Sequence, residues 1–331
     1  MREGYREQAI GQVAMLKEEV KRTDLEIADT VTRYYYGAVL AGRMNQLATD
    51  TLARLEATLS VTETFYKGGG TVKKTDWLEN KVTVEGIRLL AVKIAKNEVM
   101  AQAALANTMG LSWDRRVRPK DTEIPFSPLV VDLNELVSTA YAFNPDWNKI
   151  EAGLRAAEGI LKTAKSDHFP KLALFGNVSR WWNEHDSGLA TDVNKKSWEV
   201  GVGVEIPIFG GFLTQSKVAE AKARLAMIKE QQFLLEEGIG LQMKRIFLDL
   251  DAARKSYECS KEALEAAREN RSLNIRAYQS ELVETGSVIR AQLMEAIVAA
   301  QHQKIRYDYV ALKSKLNLLV GTEVLKQLEE K

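Results

Sequence analysis

The sequence predicts a mainly α-helical protein with one β-hairpin, built from long antiparallel coiled-coil helical hairpins that form an internal repeat. Three observations predict this. Val13-Ala14-Met15-Leu16-Lys17-Glu18 returns about 212 residues later as Leu225-Ala226-Met227-Ile228-Lys229-Glu230. Two stretches of about 60 residues run without proline and carry apolar residues three and four apart. One run, Trp198 to Ile206, changes period from helical to two.

The first rod runs from about Glu7 to Tyr66, roughly 90 Å long at 1.5 Å per residue. Lys67-Gly68-Gly69-Gly70-Thr71 breaks it. Asp76-Trp77-Leu78 restarts a helix that returns to Met109, with Gly110 as its C-terminal cap. From Ser112 to Pro128 the chain carries Pro119, Pro125 and Pro128 and reads as an irregular connector. Two helices follow, Leu133 to Tyr141 and Pro145 to Ser166, the second opened by Asn144-Pro145-Asp146 because proline is tolerated in a first helical turn.

A strand is expected from Lys171 to about Trp182, with Leu172, Leu174 and Val178 on one face. After a polar linker, Asn183 to Ser197, its partner alternates Val200, Val202 and Val204 with Gly and Glu. The second rod, Leu213 to Tyr278, turns at Glu281 to Ser287 and returns from Val288 to Leu319, stopping at Gly321. Ile246, Leu250, Ala253 and Tyr257 alternate spacings of four and three, the period of a coiled-coil seam. In segments, this gives a first hairpin (1–110), a connector (111–135), leading helices (136–170), a β-hairpin (171–209), a second hairpin (210–322) and a tail (323–331).

The repeat is incomplete. Run backwards, its offset sets Met1 against Leu213, just past Ile208-Phe209-Gly210-Gly211. What precedes Gly210 in the second copy has no counterpart in the first, so the sequence reads as a duplicated protein whose front end is missing.

Composition excludes several function classes. A net charge of +1 gives no electrostatic case for nucleic acid. The single cysteine, Cys259, permits neither a disulfide nor a thiolate metal site within one chain. His168, His185 and His302 are scattered without ligand spacing, and Gly68-Gly69-Gly70 joins two helices where a phosphate loop would follow a strand. Glu236-Glu237 and Glu329-Glu330 read as solvated helix faces. Nothing points to catalysis, a cofactor or a metal. No window approaches the roughly 20 apolar residues of a spanning helix, and the charged start Met1-Arg2-Glu3-Gly4-Tyr5-Arg6-Glu7 is unlike a secretory signal. Entry into a membrane would therefore be by strands, and export would need a signal that this sequence lacks.

An ordered set of motifs carries a resemblance over nearly the whole chain. Ala140-Tyr141-Ala142-Phe143-Asn144-Pro145-Asp146, Ala156-Ala157-Glu158, Phe169-Pro170-Lys171-Leu172-Ala173-Leu174, Ile206-Pro207-Ile208-Phe209-Gly210-Gly211, Ala277-Tyr278 and Ala291-Gln292-Leu293 together resemble the TolC-like outer membrane efflux proteins. The resemblance implies a homotrimer in the outer membrane with a periplasmic extension. Each protomer of that family supplies four strands to a twelve-stranded barrel and coiled helices to a tunnel. It also implies helical tips that close the periplasmic entrance and dock a periplasmic adaptor (membrane fusion protein), which links the channel to an inner-membrane pump. Here only the second repeat carries strands, so three chains would offer six, and an N-terminal truncation removing a signal peptide and a first β-hairpin is inferred. Asp76 matches an acidic position of the family just after the turn, whereas its repeat partner is Ser287.

Each candidate site has two readings. The tips, Gly68, Gly69, Gly70, Asp76, Glu281, Val283 and Ser287, are adaptor-docking and gate elements, or solvated turns. Glu199 and Glu205 line a barrel lumen, or the wet face of a sheet packed on protein. Trp181, Trp182 and Trp198 form a membrane-interface girdle beside lipid-facing Val200, Val202 and Val204, or a clustered aromatic core. The function indicated is a passive conduit for efflux or type I secretion. The alternatives are a soluble periplasmic coiled-coil scaffold or adaptor, and a non-functional truncated copy. The repeat further predicts that the turns at Gly69 and Val283 lie at the same end.

Overall fold

A computed structural model of the chain describes residues 2–69, 72–129, 132–180 and 196–321. Gly70, Trp181 and Trp182, named above, lie outside the described residues. The elements in chain order are α1 (Arg2–Lys67), α2 (Lys74–Thr108), α3 (Leu133–Phe143), α4 (Pro145–Ser166), β1 (Lys171–Arg180), β2 (Lys196–Glu205), α5 (Leu213–Gln279) and α6 (Thr285–Val320).

Helix ends follow local chemistry. Past α2, Gly110 takes φ +76°, its N–H donating to the Asn107 carbonyl (3.0 Å) while that of Leu111 donates to the Ala106 carbonyl (3.0 Å). These are the two bonds of a Schellman stop, with glycine where a left-handed residue is needed. The Asp132 carboxylate accepts from the Asn134 N–H and starts α3, and Pro145 opens α4. The last long helix begins at Thr285, three residues before the expected Val288, so Ser287 lies in its first turn and not in the connecting turn. Its cap, Glu284, has an extended backbone and no capping side-chain bond, which left no residue signature to read.

The chain divides into two compact units. One comprises Met1–Glu19 with Asp146–Glu236. In it the start of α1 lies against α4 at backbone contact. A Cβ added at Gly11 would stand 2.8 Å from the Ala152 carbonyl oxygen and from the Ala156 nitrogen, and one at Gly159 would stand 2.7 Å from the Gly4 carbonyl oxygen. These glycines are required by the approach of two helices. Ion pairs Lys162–Glu3 and Lys149–Glu19 (2.7 Å) flank the seam. Beyond α4, Asp167 holds Lys171 of β1 at 3.1 Å and Lys217 of α5 at 3.8 Å. β1 and β2 pair antiparallel from Lys171↔Glu205 to Arg180↔Lys196.

The other unit comprises Val20–Pro145 and Glu237–Lys331. Leu55 of α1, Val84 of α2 and Ile289 of α6 form a buried cluster with Leu52, Leu59, Ile87 and Leu293 packed against it, so both helical hairpins share one core. Ile246 and Leu250 of the predicted seam are buried. The connector is seated by aromatic contacts. Phe126 stacks on Tyr257 (centroids 3.6 Å apart, 8° between planes) and leans on Tyr309, whose hydroxyl accepts from the Leu129 N–H at 2.7 Å. Asn144 Nδ2 donates to the Leu319 carbonyl (3.1 Å), tying the end of α3 to that of α6. Among the described residues no helix is long and apolar enough to cross a membrane.

Candidate functional site

Two places collect the sequence-predicted site residues. At the first turn, the Gly68 N–H donates to the Thr64 carbonyl (2.9 Å) and Gly69 takes φ +76°. A Cβ at Gly69 would meet nothing, so its glycine serves backbone conformation alone. The Lys73 carbonyl accepts from the N–H groups of Asp76 (3.1 Å) and Trp77 (3.2 Å). Asp76 thus lies in the first turn of α2, where the helix dipole favours a carboxylate, and it accepts the Thr75 hydroxyl at 3.0 Å. Trp77 stacks on Tyr66 across the turn (5.3 Å, 9°), with Lys81 Nζ 5.6 Å from its ring centre.

The second turn reaches the same end by other chemistry. The Leu282 N–H donates to the Ala277 carbonyl (2.9 Å) and that of Glu281 to the Tyr278 carbonyl (3.0 Å), again a Schellman pair, but Glu281 holds the left-handed position with φ +56°. The Thr285 hydroxyl donates to the Tyr278 hydroxyl at 3.2 Å. Val283 is half-buried and Leu282 is 78 % exposed. The two turns stand side by side, as the repeat predicts: Phe65 and Asp76 of the first and Tyr278, Leu282, Val283 and Thr285 of the second line one cavity of about 310 Å³.

Behind the turns lie contacts between the hairpins that no sequence spacing announces. Gln292 Nε2 donates to Thr58 Oγ1 (3.2 Å), and Arg54 Nη1 meets Glu295 Oε2 at 3.3 Å. The partners are 234 and 241 residues apart in the chain.

The second place is the β-hairpin. Its register puts Leu172, Leu174 and Val178 opposite Val204, Val202 and Trp198, with Val200 facing Gly176, on a single face. These seven apolar side chains are between 63 and 84 % exposed, so none is covered by the chain's own helices. On the other face Glu205 stands opposite Lys171 and Glu199 opposite Asn177, while the Ser179 and Ser197 hydroxyls meet at 2.6 Å. That face also carries Phe175, which no spacing in the sequence marks. Its ring lies over Gly201, where an added Cβ would be 2.5 Å from the ring's Cζ. The period-two glycine marks an aromatic seat, a signal readable only once the strands are paired.

Comparison with known proteins accords with this architecture. The family described as Outer membrane efflux protein matches residues 136–322. Protein CyaE of Bordetella pertussis is 24 % identical over 274 residues, covering 81 % of this chain and 56 % of that protein. The chain spans about half the length of the curated relatives it matches. Among solved structures, a membrane protein from Pseudomonas aeruginosa superposes with a TM-score of 0.80 at 18 % identity, covering 96 % of this chain and 73 % of the other. The outer membrane protein VceC from Vibrio cholerae gives 0.79 at 16 % identity, covering 96 % and 75 %. At such identities these likenesses speak to fold. With more than half of its length matched by the family, the chain belongs to the outer membrane efflux protein family.

Proposed function

We propose that this chain is the channel subunit of an outer membrane export system, a conduit without chemistry of its own. The observation that carries the reading is the β-hairpin with one continuous apolar face left uncovered and, among the described residues, both edges unpaired. In hydrocarbon each unpaired backbone group costs on the order of several kcal/mol, so such a hairpin persists there only within a closed barrel that includes further strands. In that barrel Val200, Val202 and Val204 face lipid, Trp198 sits at the interface, and Glu199 and Glu205 face water in the bore.

The helices support assembly with further copies, a homotrimer in this reading. Met227, Leu234, Leu241 and Leu248 recur at sevens along α5 and are exposed, as are Val13, Val20 and Ile27 along α1. Heptad stripes of this kind are seams that lack their partner helix. The paired turns, with Gly68, Gly69, Asp76, Glu281, Val283 and the neighbouring Ser287, form the entrance. There a periplasmic adaptor coupled to an inner-membrane pump docks and opens it.

Site-directed spin labels along β2 in a Cys259→Ser background, with the protein in lipid, test the assignment. Labels at 200, 202 and 204 should be accessible to oxygen, and labels at 199 and 205 to a water-soluble nickel chelate. Glu199→Lys with Glu205→Lys should shift the reversal potential of single channels toward anions. Equal water access at all five positions would sink the barrel reading.

A further inference from the structure

Alternation along β1 and β2 places Arg180 and Lys196 on the face of the valines, and not on the face of Glu199 and Glu205. The pairs on that face run Leu172↔Val204, Leu174↔Val202, Gly176↔Val200, Val178↔Trp198 and then Arg180↔Lys196. An apolar strip thus ends in two cations directly opposite each other, both exposed. They stand at the end of the hairpin away from α4 and α5. At the helix end the lysines meet acid instead: Lys171 faces Glu205 in the register and is held, with Lys217, by Asp167.

Like charges directly opposite on a sheet repel, with their Cβ atoms about 5 Å apart. The Ser179–Ser197 hydroxyl contact on the reverse face holds the register one position earlier, so the two heads are kept together. From Leu172 to Arg180 the strand advances about 27 Å, which at a tilt of about 40° is roughly 20 Å of depth, close to the height of a lipid-facing apolar band. The cations therefore stand where hydrocarbon ends, beside Trp198. Long cations that only snorkel to water need no such pairing. Two that face each other at this boundary converge on one anion. A phosphate accepts the planar fork of arginine while lysine adds a point charge, and a phosphate monoester, at about −1.5 to −2 near neutral pH, offsets both.

We propose that Arg180 and Lys196 form a headgroup site for a lipid bearing a phosphate monoester, in the leaflet away from the helices, with its chains lying along Val200 and Val202. This rests on the reading of the hairpin as part of a barrel in lipid.

The test is local quenching in the full chain, carrying Cys259→Ser and a fluorophore at Val178→Cys or, at the other end of the same face, at Leu172→Cys. Vesicles of phosphatidylcholine receive brominated phosphatidic acid, brominated phosphatidylglycerol or brominated phosphatidylcholine. At 178 half-quenching should need at least about fivefold less phosphatidic acid than phosphatidylcholine, with phosphatidylglycerol between them, and at 172 the three should be equal. Arg180→Gln with Lys196→Gln should bring phosphatidic acid down to the phosphatidylcholine level at 178, while quenching by brominated phosphatidylcholine stays as in the parent and shows the hairpin still in lipid. Millimolar inorganic phosphate should change nothing. Equal quenching by all three lipids at 178 would overturn the site, as would a preference that survives the double substitution or appears equally at 172. Phosphatidylglycerol matching phosphatidic acid would reduce it to general attraction of negative charge, and a preference abolished by inorganic phosphate would assign the pair to the free ion; either overturns the lipid site. The barrel reading is read apart from these outcomes: brominated phosphatidylcholine that quenches neither label places the hairpin outside lipid, and both readings then fall.

Discussion

The first and second helical hairpins are near copies in length, with helices of 66 and 35 residues in one and 67 and 36 in the other, but they turn and pack differently. The first turns on Gly69, the second on Glu281, a side chain held at positive φ. The first has an aromatic stack, Tyr66 on Trp77, across its turn, and the second a Thr285–Tyr278 hydroxyl pair. The second alone contains a histidine, buried at His302. The helix lengths that set where the turns meet are nearly equal in the two hairpins, while the chemistry of each turn differs. The hairpins are joined through a common core and so cannot be treated as separate modules.

The largest expected effect tests that last point. Leu55 is fully buried in the shared cluster, and Leu55→Ala should cost about 2–5 kcal/mol in urea unfolding. Hydrogen exchange should quicken around Ile289 and Leu293 as well as in α1 and α2. Protection lost from the first hairpin alone would break the comparison by making the copies independent.

A smaller effect separates the hairpins by pH. His302 Nδ1 and Ser260 Oγ lie 2.9 Å apart, and Tyr257 stands beside the ring. Burial, then the charges of Arg306, Arg268 and Lys261, holds the imidazole pKa below its ordinary 6.5. The unfolded chain binds the proton more readily, so this contribution is complete above about pH 6.5 and is lost as pH falls from there toward the lowered folded value. Melting at pH 5 should fall below that at pH 7.5, with exchange rising first in α5 and α6. In His302→Gln that difference should shrink; an unchanged difference would assign the pH dependence to other groups.

The smallest effect sharpens the contrast of the turns. Glu281→Gly should stabilise the protein by about 0.5–1 kcal/mol, while Gly69→Ala should destabilise it by about 1 kcal/mol. Chemical denaturation of the two variants with opposite signs would confirm that one turn uses glycine and the other tolerates strain.

Much of the fold was legible because its determinants are local. Missing prolines and three–four spacing gave the rods, Pro145 gave the start of α4, and Gly110 and Gly321 gave two helix stops. Where the local signal is absent, the structure departs from the expected boundaries. Glu281 stands where glycine would have marked the stop, and Glu284 caps α6 without a side-chain bond, so the helix began earlier than expected. α3 runs to Phe143, two residues past the expected Tyr141, because the Asn144 amide still finds the Ala140 carbonyl. The site was legible as turns and as an alternating strand. Phe175 on Gly201, Gly11 against Ala152 and Ala156, and Arg54 on Glu295 depend on elements meeting through the fold, which spacing along one chain does not encode.

The connector clamped by Phe126, Tyr257 and Tyr309 carries a consequence for how the chain folds. Each helical hairpin closes between near neighbours in sequence, whereas the bond from Leu129 to Tyr309 spans 180 residues and the Arg54–Glu295 contact 241. Loop closure of that length is slow relative to local helix pairing. The hairpins should therefore form first and the connector seat last, as a buckle that fastens two finished rods. Pulse-labelled amides of α2 and α6 should gain protection before the Leu129 N–H does, and the reverse order would mean that the buckle nucleates the fold.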